Sequence, residues 1–252
     1  MALRGIAVVT GASSGIGAEI ARLLSRTGYR CVLLARREDR LRALAEEVDG
    51  EYELCDVTDR AAVESTAARV LQRHPALAVL VNNAGVPARA TFLDGDPVPA
   101  LETNYLGSVW CLRAFLPGLE AGAPSHVVNM VSVAGTTTLP RSGPYSASKY
   151  AQLAFSRATA AQLRGRGILV HTVKPGFVET EGFPQSWLPG LAQRLVIGPQ
   201  RVAEHVLDSI ERGRGETTVP RYYAVAGLVQ ALAPNLLARF LSRSGPRSTI
   251  GR

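Results

Sequence analysis

The chain has 252 residues, 46% of them hydrophobic and 19% charged, which excludes a disordered or fibrous polymer and allows one sizeable buried core. Its net charge of +7 comes from 28 basic residues, of which only Lys149 and Lys174 are lysines. The arginines are spread along helical segments (Arg36, Arg37, Arg40 and Arg42; Arg60, Arg69 and Arg73) without a base-reading motif, so solvated faces are expected rather than a specific nucleic-acid partner.

Short apolar runs alternate with segments of helical period. A strand over 5–10 leads into a turn made of Thr10, Gly11, Ala12, Ser13, Ser14, Gly15, Ile16 and Gly17, and a helix runs over 16–26. Glycines between a first strand and a first helix let backbone approach a pyrophosphate, whose charge meets the helix N-terminus. The turn therefore points to a dinucleotide. A second strand over 30–35 ends at Arg36 and Arg37. Folds that prefer NAD place an acid there for the ribose hydroxyls, whereas a guanidinium suits a 2′-phosphate through charge-assisted bonds. NADP(H) is expected ahead of NAD(H), with Glu38 and Asp39 as the opposing signal.

A helix over 37–48, a strand over 51–55, a helix over 60–73 and a strand over 78–81 follow. A helix over 99–119, a strand over 126–131, a helix over 142–164 and a strand over 168–173 continue the alternation. Strands that alternate with helices of this length predict an α/β fold, a Rossmann-type doubly wound parallel sheet, as a single domain over 1–252. Ser132 lies at the end of the fifth strand, where a doubly wound sheet faces its ligand crevice. Tyr145 and Lys149, four residues apart, share one helix face. A phenol titrates near about pH 10 and needs a neighbouring cation to exchange protons near neutrality. Lys149 is that cation, and Ser132 is placed to polarise a carbonyl.

With these residues in view, the chain resembles the short-chain dehydrogenase/reductase family from Gly5 to about Thr180. The resemblance rests on the turn, on Asp56 with Val57, on Asn82, Asn83, Ala84 and Gly85, on Asn104, Ser132, Tyr145 and Lys149, and on Pro175, Gly176 and Thr180. It implies that Tyr145 is the general acid/base, that Ser132 orients the substrate oxygen and that Lys149 holds the nicotinamide ribose. Asn104 would anchor a water on the proton path. Asp56 would contact the adenine beside Val57, and residues 82–85 would stabilise the sheet and border the adenosine ribose. Pro175, Gly176, Val178 and Thr180 would flank the nicotinamide. There are two departures: a short interval between Gly85 and Asn104, and Ser14 where relatives that use NADPH often carry a basic residue.

Residues 176–199 break the rhythm and read as a substrate loop or lid, with Phe177, Phe183, Trp187, Leu188, Leu191, Leu195 and Val196 favouring an apolar alcohol or ketone. The apolar segment 221–243, interrupted by Pro234, Asn235 and Arg239, is too short to span a membrane. Pocket wall or subunit contact is preferred for it over peripheral membrane docking. A homodimer or homotetramer is implied by the resemblance alone. Met1 to Gly5 leads directly into a strand, and Cys31, Cys55 and Cys111 are scattered in apolar runs, so a reducing, cytoplasmic setting without disulfides is expected. His74, His126, His171 and His205 lack ligand spacing, so no metal is expected. The main reading is an NADP(H)-dependent oxidoreductase. The alternatives are a catalytically silent NADP(H)-binding regulator of the same fold and an epimerase or dehydratase.

Overall fold

The computed structural model describes residues 3–88, 90–138, 142–182, 184 and 190–243. Its seven strands are β1 (Gly5–Thr10), β2 (Tyr29–Ala35), β3 (Glu51–Leu54), β4 (Val79–Asn82), β5 (Ser125–Met130), β6 (Ile168–Pro175) and β7 (Glu216–Val219). They form one parallel sheet in the order β3-β2-β1-β4-β5-β6-β7. The helices are α1 (Gly15–Arg26), α2 (Glu38–Glu47), α3 (Arg60–Arg73), α4 (Val98–Leu101), α5 (Gly107–Ala121), α6 (Gly143–Leu163), α7 (Pro199–Arg212), α8 (Ala224–Leu232) and α9 (Pro234–Arg243).

Strand β1 shows why both faces of the sheet are covered. Successive side chains of a strand point to opposite faces, and all of its residues from Ile6 to Thr10 are buried. Ala7 and Val9 join a core with Ile20 and Leu24 of α1, Leu41 of α2 and Val206 of α7. Ile6 and Val8 join a second core with Val63 and Val70 of α3 and Phe115 and Leu119 of α5. A strand sandwiched in this way reads as an unbroken apolar run, which is how its sequence reads.

Two elements differ from expectation. The helix expected over 99–119 is continuous in backbone conformation but carries a π turn, Glu102–Leu106, between α4 and α5. The extra residue in that turn draws Asn104 into the interior, fully buried, where its Oδ1 accepts from the Val86 N–H at 2.8 Å and its Nδ2 donates to the Val86 carbonyl at 3.1 Å. Gly107, which follows the π turn, lets the helix lie close to Val57, since a Cβ there would come within 2.8 Å of it. The sheet also has a seventh strand where the sequence suggested six. Strand β7 is four residues, Glu-Thr-Thr-Val, at the sheet edge, too short and too polar to register as an apolar run.

Candidate active site

Strand order reverses between β1 and β4, which are neighbours in the sheet while the chain runs outward from them in opposite directions. The loops that follow them diverge, as expected at a topological switch point, and leave a cleft of about 530 Å³. Gly11 and Gly15 in the first loop have φ of +63° and +56°, a region that side chains disfavour. A Cβ on Gly11 would lie 2.8 Å from the Ala84 Cα. Gly11, Ser13, Ser14, Gly15 and Ile16 line the cleft. Gly17 lies behind the turn, where a Cβ would meet the Gly11 carbonyl at 2.4 Å.

The clamp on this turn comes from Asn83, to which sequence reasoning assigned no role apart from the 82–85 stretch. The Asn83 Nδ2 donates to the carbonyls of Thr10 and Gly11 at 3.0 and 3.2 Å, while Thr10 Oγ1 accepts from the N–H groups of Asn83 and Ala84, both at 3.0 Å. The doubled asparagine of 82–83 was the available signal. The two divide the labour: Asn83, Ala84 and Gly85 line the cleft, whereas Asn82 is buried away from it and donates to Asn129 Oδ1 at 2.9 Å. Asn129 in turn donates to Ser156, which shares a 2.7 Å bond with Thr172. Asn82 thus ties β4 to β5, α6 and β6.

The end of the cleft beneath β2 is charged and exposed. Arg36 pairs with Asp56 at 3.4 Å. Arg37 donates to Ser13 Oγ at 3.0 and 3.1 Å and to Ser14 Oγ at 2.6 Å, so its guanidinium lies directly over the glycine turn. Glu181 pairs with both Arg37 and Arg40. Sequence reasoning put most of the weight on Arg36; the structure brings both arginines to the cleft and gives Arg37 the closer approach to the turn. Asp56 and Val57 line the same end, and Asp56 Oδ1 accepts from the Thr58 N–H and hydroxyl at 3.0 and 2.8 Å.

The opposite end is buried. Ser132, Tyr145 and Lys149 all line it. The Ser132 hydroxyl accepts from the Ala134 N–H at 3.1 Å and is hydrogen-bonded to the Tyr145 phenol. Burial pushes that phenol up to about 12, against a smaller downward pull from Ser132. Lys149 Nζ lies 5.8 Å from the centroid of the Tyr145 ring and donates to the Met130 carbonyl and to Gln152 Oε1, each at 2.8 Å. Burial brings this amine down to about 7. Burial thus favours the protonated phenol, a proton donor, and works against the charge on the amine, an effect that its two carbonyl acceptors oppose.

Asn104 stands behind this cluster and does not line the cleft; its amide also donates to Ser148 Oγ at 2.9 Å, and its carbonyl accepts from Ser108. Pro175, Gly176, Val178 and Thr180 form the wall after β6. The Tyr223 ring packs so closely on Gly176 that a Cβ there would lie 2.1 Å from it, and Phe177 meets the same ring edge-on at 6.0 Å. A bridge between Val178 and Ile197 returns the 176–199 segment to the wall. Of the residues expected in that segment, Leu195 is partly exposed and Val196 half-buried. Phe183, Trp187 and Leu188 lie outside the described residues, as does the Leu191 side chain.

Helix α8 packs by one face on the segment that follows β5: Gly227 lies against Thr136, and Gln230 accepts from the Thr138 N–H at 3.3 Å. Its other face carries Val225, Leu228 and Leu232 outward, and Leu236 of α9 is also exposed. Among the described residues no helix is long and apolar enough to cross a membrane. Cys31, Cys55 and Cys111 are buried and unbridged.

The cradle, its arginines and the buried phenol fit a phosphorylated dinucleotide and a proton donor in one cleft, and comparison with known proteins leads to the same class. Residues 5–187 match the family described as short chain dehydrogenase. A Streptomyces coelicolor protein with the provisional name ketoacyl reductase is 34% identical over 88% of this chain and 96% of its own length. Dehydrogenase/reductase SDR family member 7B of Danio rerio is 35% identical over 69% of this chain and 61% of its own. Among solved structures, a variant of actinorhodin polyketide ketoreductase with NADPH superposes with a TM-score of 0.78 at 31% identity, covering 88% of this chain and 98% of the other.

Proposed function

The chain belongs to the short chain dehydrogenase family, and we propose that it is an NADP(H)-dependent oxidoreductase acting on an apolar ketone or alcohol. The observation that carries this reading is the opening of the buried Ser132, Tyr145 and Lys149 cluster onto the cleft that holds the glycine cradle. A solved relative that carries NADPH supports the choice of cofactor.

In this reading the α1 N-terminus and the turn from Gly11 to Ile16 receive the pyrophosphate. Arg37 and Arg36 meet the 2′-phosphate. Asp56, Val57, Ala84 and Gly85 border the adenosine, and Pro175, Gly176, Val178 and Thr180 border the nicotinamide. When bound, the dinucleotide supplies hydride chemistry at its nicotinamide ring. The remaining work falls to side chains. The Ser132 hydroxyl donates to the substrate oxygen and stabilises charge as it develops there. The Tyr145 O–H bond breaks as its proton passes to that oxygen, so ketone, hydride and proton give the alcohol, and the reverse sequence gives the ketone. Lys149 holds a positive charge beside the phenol that offsets the phenolate left behind. Phe177, which lines the cleft with the Tyr223 ring packed against it, favours an apolar substrate. The outward stripe of α8 is assigned to a second copy of the chain, and the cytoplasm remains the expected compartment.

The silent-regulator alternative loses ground because Asn104, Ser132, Tyr145 and Lys149 are all present and assembled, which binding alone does not require. The test is a screen of apolar ketones that follows NADPH absorbance. Tyr145→Phe should cut turnover by about 10²–10⁴-fold while NADPH binding stays nearly intact. Near-normal turnover in that variant would overturn the mechanism.

A further inference from the structure

Gln152 has no part in the reading above, yet none of it is exposed. It lies on a helix face that breaks the usual rule: the buried residues of α6 include Ser148, Lys149, Gln152, Ser156 and Thr159. Buried polar atoms need partners, and those of Gln152 are specific. Its Oε1 accepts from Lys149 Nζ at 2.8 Å, its Nε2 donates to Ser108 Oγ at 2.9 Å, and Ser108 Oγ donates to the Asn104 carbonyl at 3.2 Å. An ammonium only donates, so the amide oxygen must face it and the amide nitrogen must face Ser108. The chain of bonds has one direction, from Lys149 on α6 to the π turn.

We propose that Gln152 is a positioning residue for Lys149: its carbonyl keeps the buried ammonium charged and aimed, and α5 holds that carbonyl in place through Ser108. The catalytic meaning rests on the oxidoreductase reading; the electrostatics do not. Lys149 has given up water for two acceptors, the Met130 carbonyl and Gln152. Of the elements around it, α6 presents the Tyr145 phenol, the end of β5 presents Met130 and Ser132, and the loop after β4 presents Gly85. The π turn contributes Asn104 and α5 contributes Ser108. None of these is a carboxylate or a second cation, and burial alone accounts for the lowered amine. The Gln152 dipole is thus one of two groups that favour the charged form.

Having only two lysines makes this directly measurable. In protein labelled with ¹³C at the lysine ε-carbon, two signals are expected, one from Lys149 and one from Lys174, and Lys149→Arg assigns them. Lys174 is paired instead with Glu216 at 2.6 Å and serves as the internal reference. Without cofactor or substrate, Gln152→Met should lower the Lys149 midpoint and Gln152→Glu should raise it, each by about one unit. Ser108→Ala, which loosens the amide without touching the ammonium, should lower it less, and it carries the test if Gln152→Met fails to fold. The alkaline limb of kcat/KM should move with the midpoint in each variant. A Lys149 midpoint that stays put, or moves the same way in the Met and Glu variants, overturns the inference. So does a midpoint that moves while the alkaline limb does not. The oxidoreductase reading fails separately, by turnover in Tyr145→Phe.

Discussion

The two ends of the cleft are built from opposite materials. Beneath β2, the side chains of Arg36 and Arg37 are 67% and 44% exposed and pair with Asp56, Ser13, Ser14 and Glu181. Beneath β5, Lys149 is 4% exposed and is held by neutral groups, with Asn104 and Gln152 fully buried behind it. Exposed pairs contribute little to stability, and they are cheap to exchange for an anion of a ligand. Buried polar groups are costly to leave unpaired and hold fixed geometry. The exposed end is suited to choosing a cofactor, and the buried end to controlling a proton.

The largest expected effect is on the buried side. The turnover lost in Tyr145→Phe should be the same at low and high salt, because a dry interior is poorly screened. On the exposed side, Arg37→Ala should weaken NADPH binding by about tenfold or more and leave NADH nearly unchanged, and the difference should shrink as salt rises. Arg36→Ala should cost less, since that side chain is more exposed and already engaged by Asp56. Fluorescence titration of both cofactors measures this; equal losses for NADPH and NADH would break the distinction between the two ends.

A smaller effect concerns acid stability. His126 of β5 and His171 of β6 share a 2.9 Å contact, and His171 also reaches the Arg214 carbonyl. Burial first, then His171 and Arg4, bring His126 down to about 4, and burial lowers His171 as well. With folded values below the unfolded value of about 6.5, the unfolded chain binds more protons, so stability falls as pH drops from about 6.5 toward 4. Glu216, held at about 2 chiefly by its Arg157 hydrogen bond, acts in a lower window: its contribution is present above the ordinary carboxylate value and is lost as pH falls through 2. Urea midpoints from pH 7 to 4 should therefore decline in the wild type and flatten in His126→Gln. An unchanged decline would assign acid sensitivity elsewhere.

The smallest effect on stability is expected from Leu228→Ser with Leu232→Ser. Both residues are largely exposed, so stability should change by no more than about 0.5 kcal/mol per site. Light scattering should nonetheless show a smaller assembly. An unchanged mass together with weaker sedimentation on anionic vesicles would give the α8 stripe to a bilayer instead of a second copy.

Much of this arrangement was legible in order along the chain. The β1 run, the glycine turn, Arg36 with Arg37, and the Tyr145–Lys149 spacing are local patterns, and their places in the fold follow from alternation of strand and helix. Strand β7 was missed because four polar-leaning residues at a sheet edge carry no apolar period. The π turn at Asn104 was missed because residues 99–119 keep a helical composition; its contacts with Val86 and Val57 come from other segments of the chain. Asn83 was hidden beside Asn82, since nothing in a doubled asparagine says which side chain turns toward the cleft.

The amino-acid order by itself determined the βα alternation, the cradle and the reactive pair, because each depends on neighbours within one turn or one strand. Tertiary structure alone decided that α6 buries a polar stripe, that Gln152 meets Lys149 and Ser108, and that Arg37 lies over the turn. Periodicity finds buried faces by their apolar residues, so a buried polar face becomes visible only when its hydrogen-bond partners arrive from other segments of the chain.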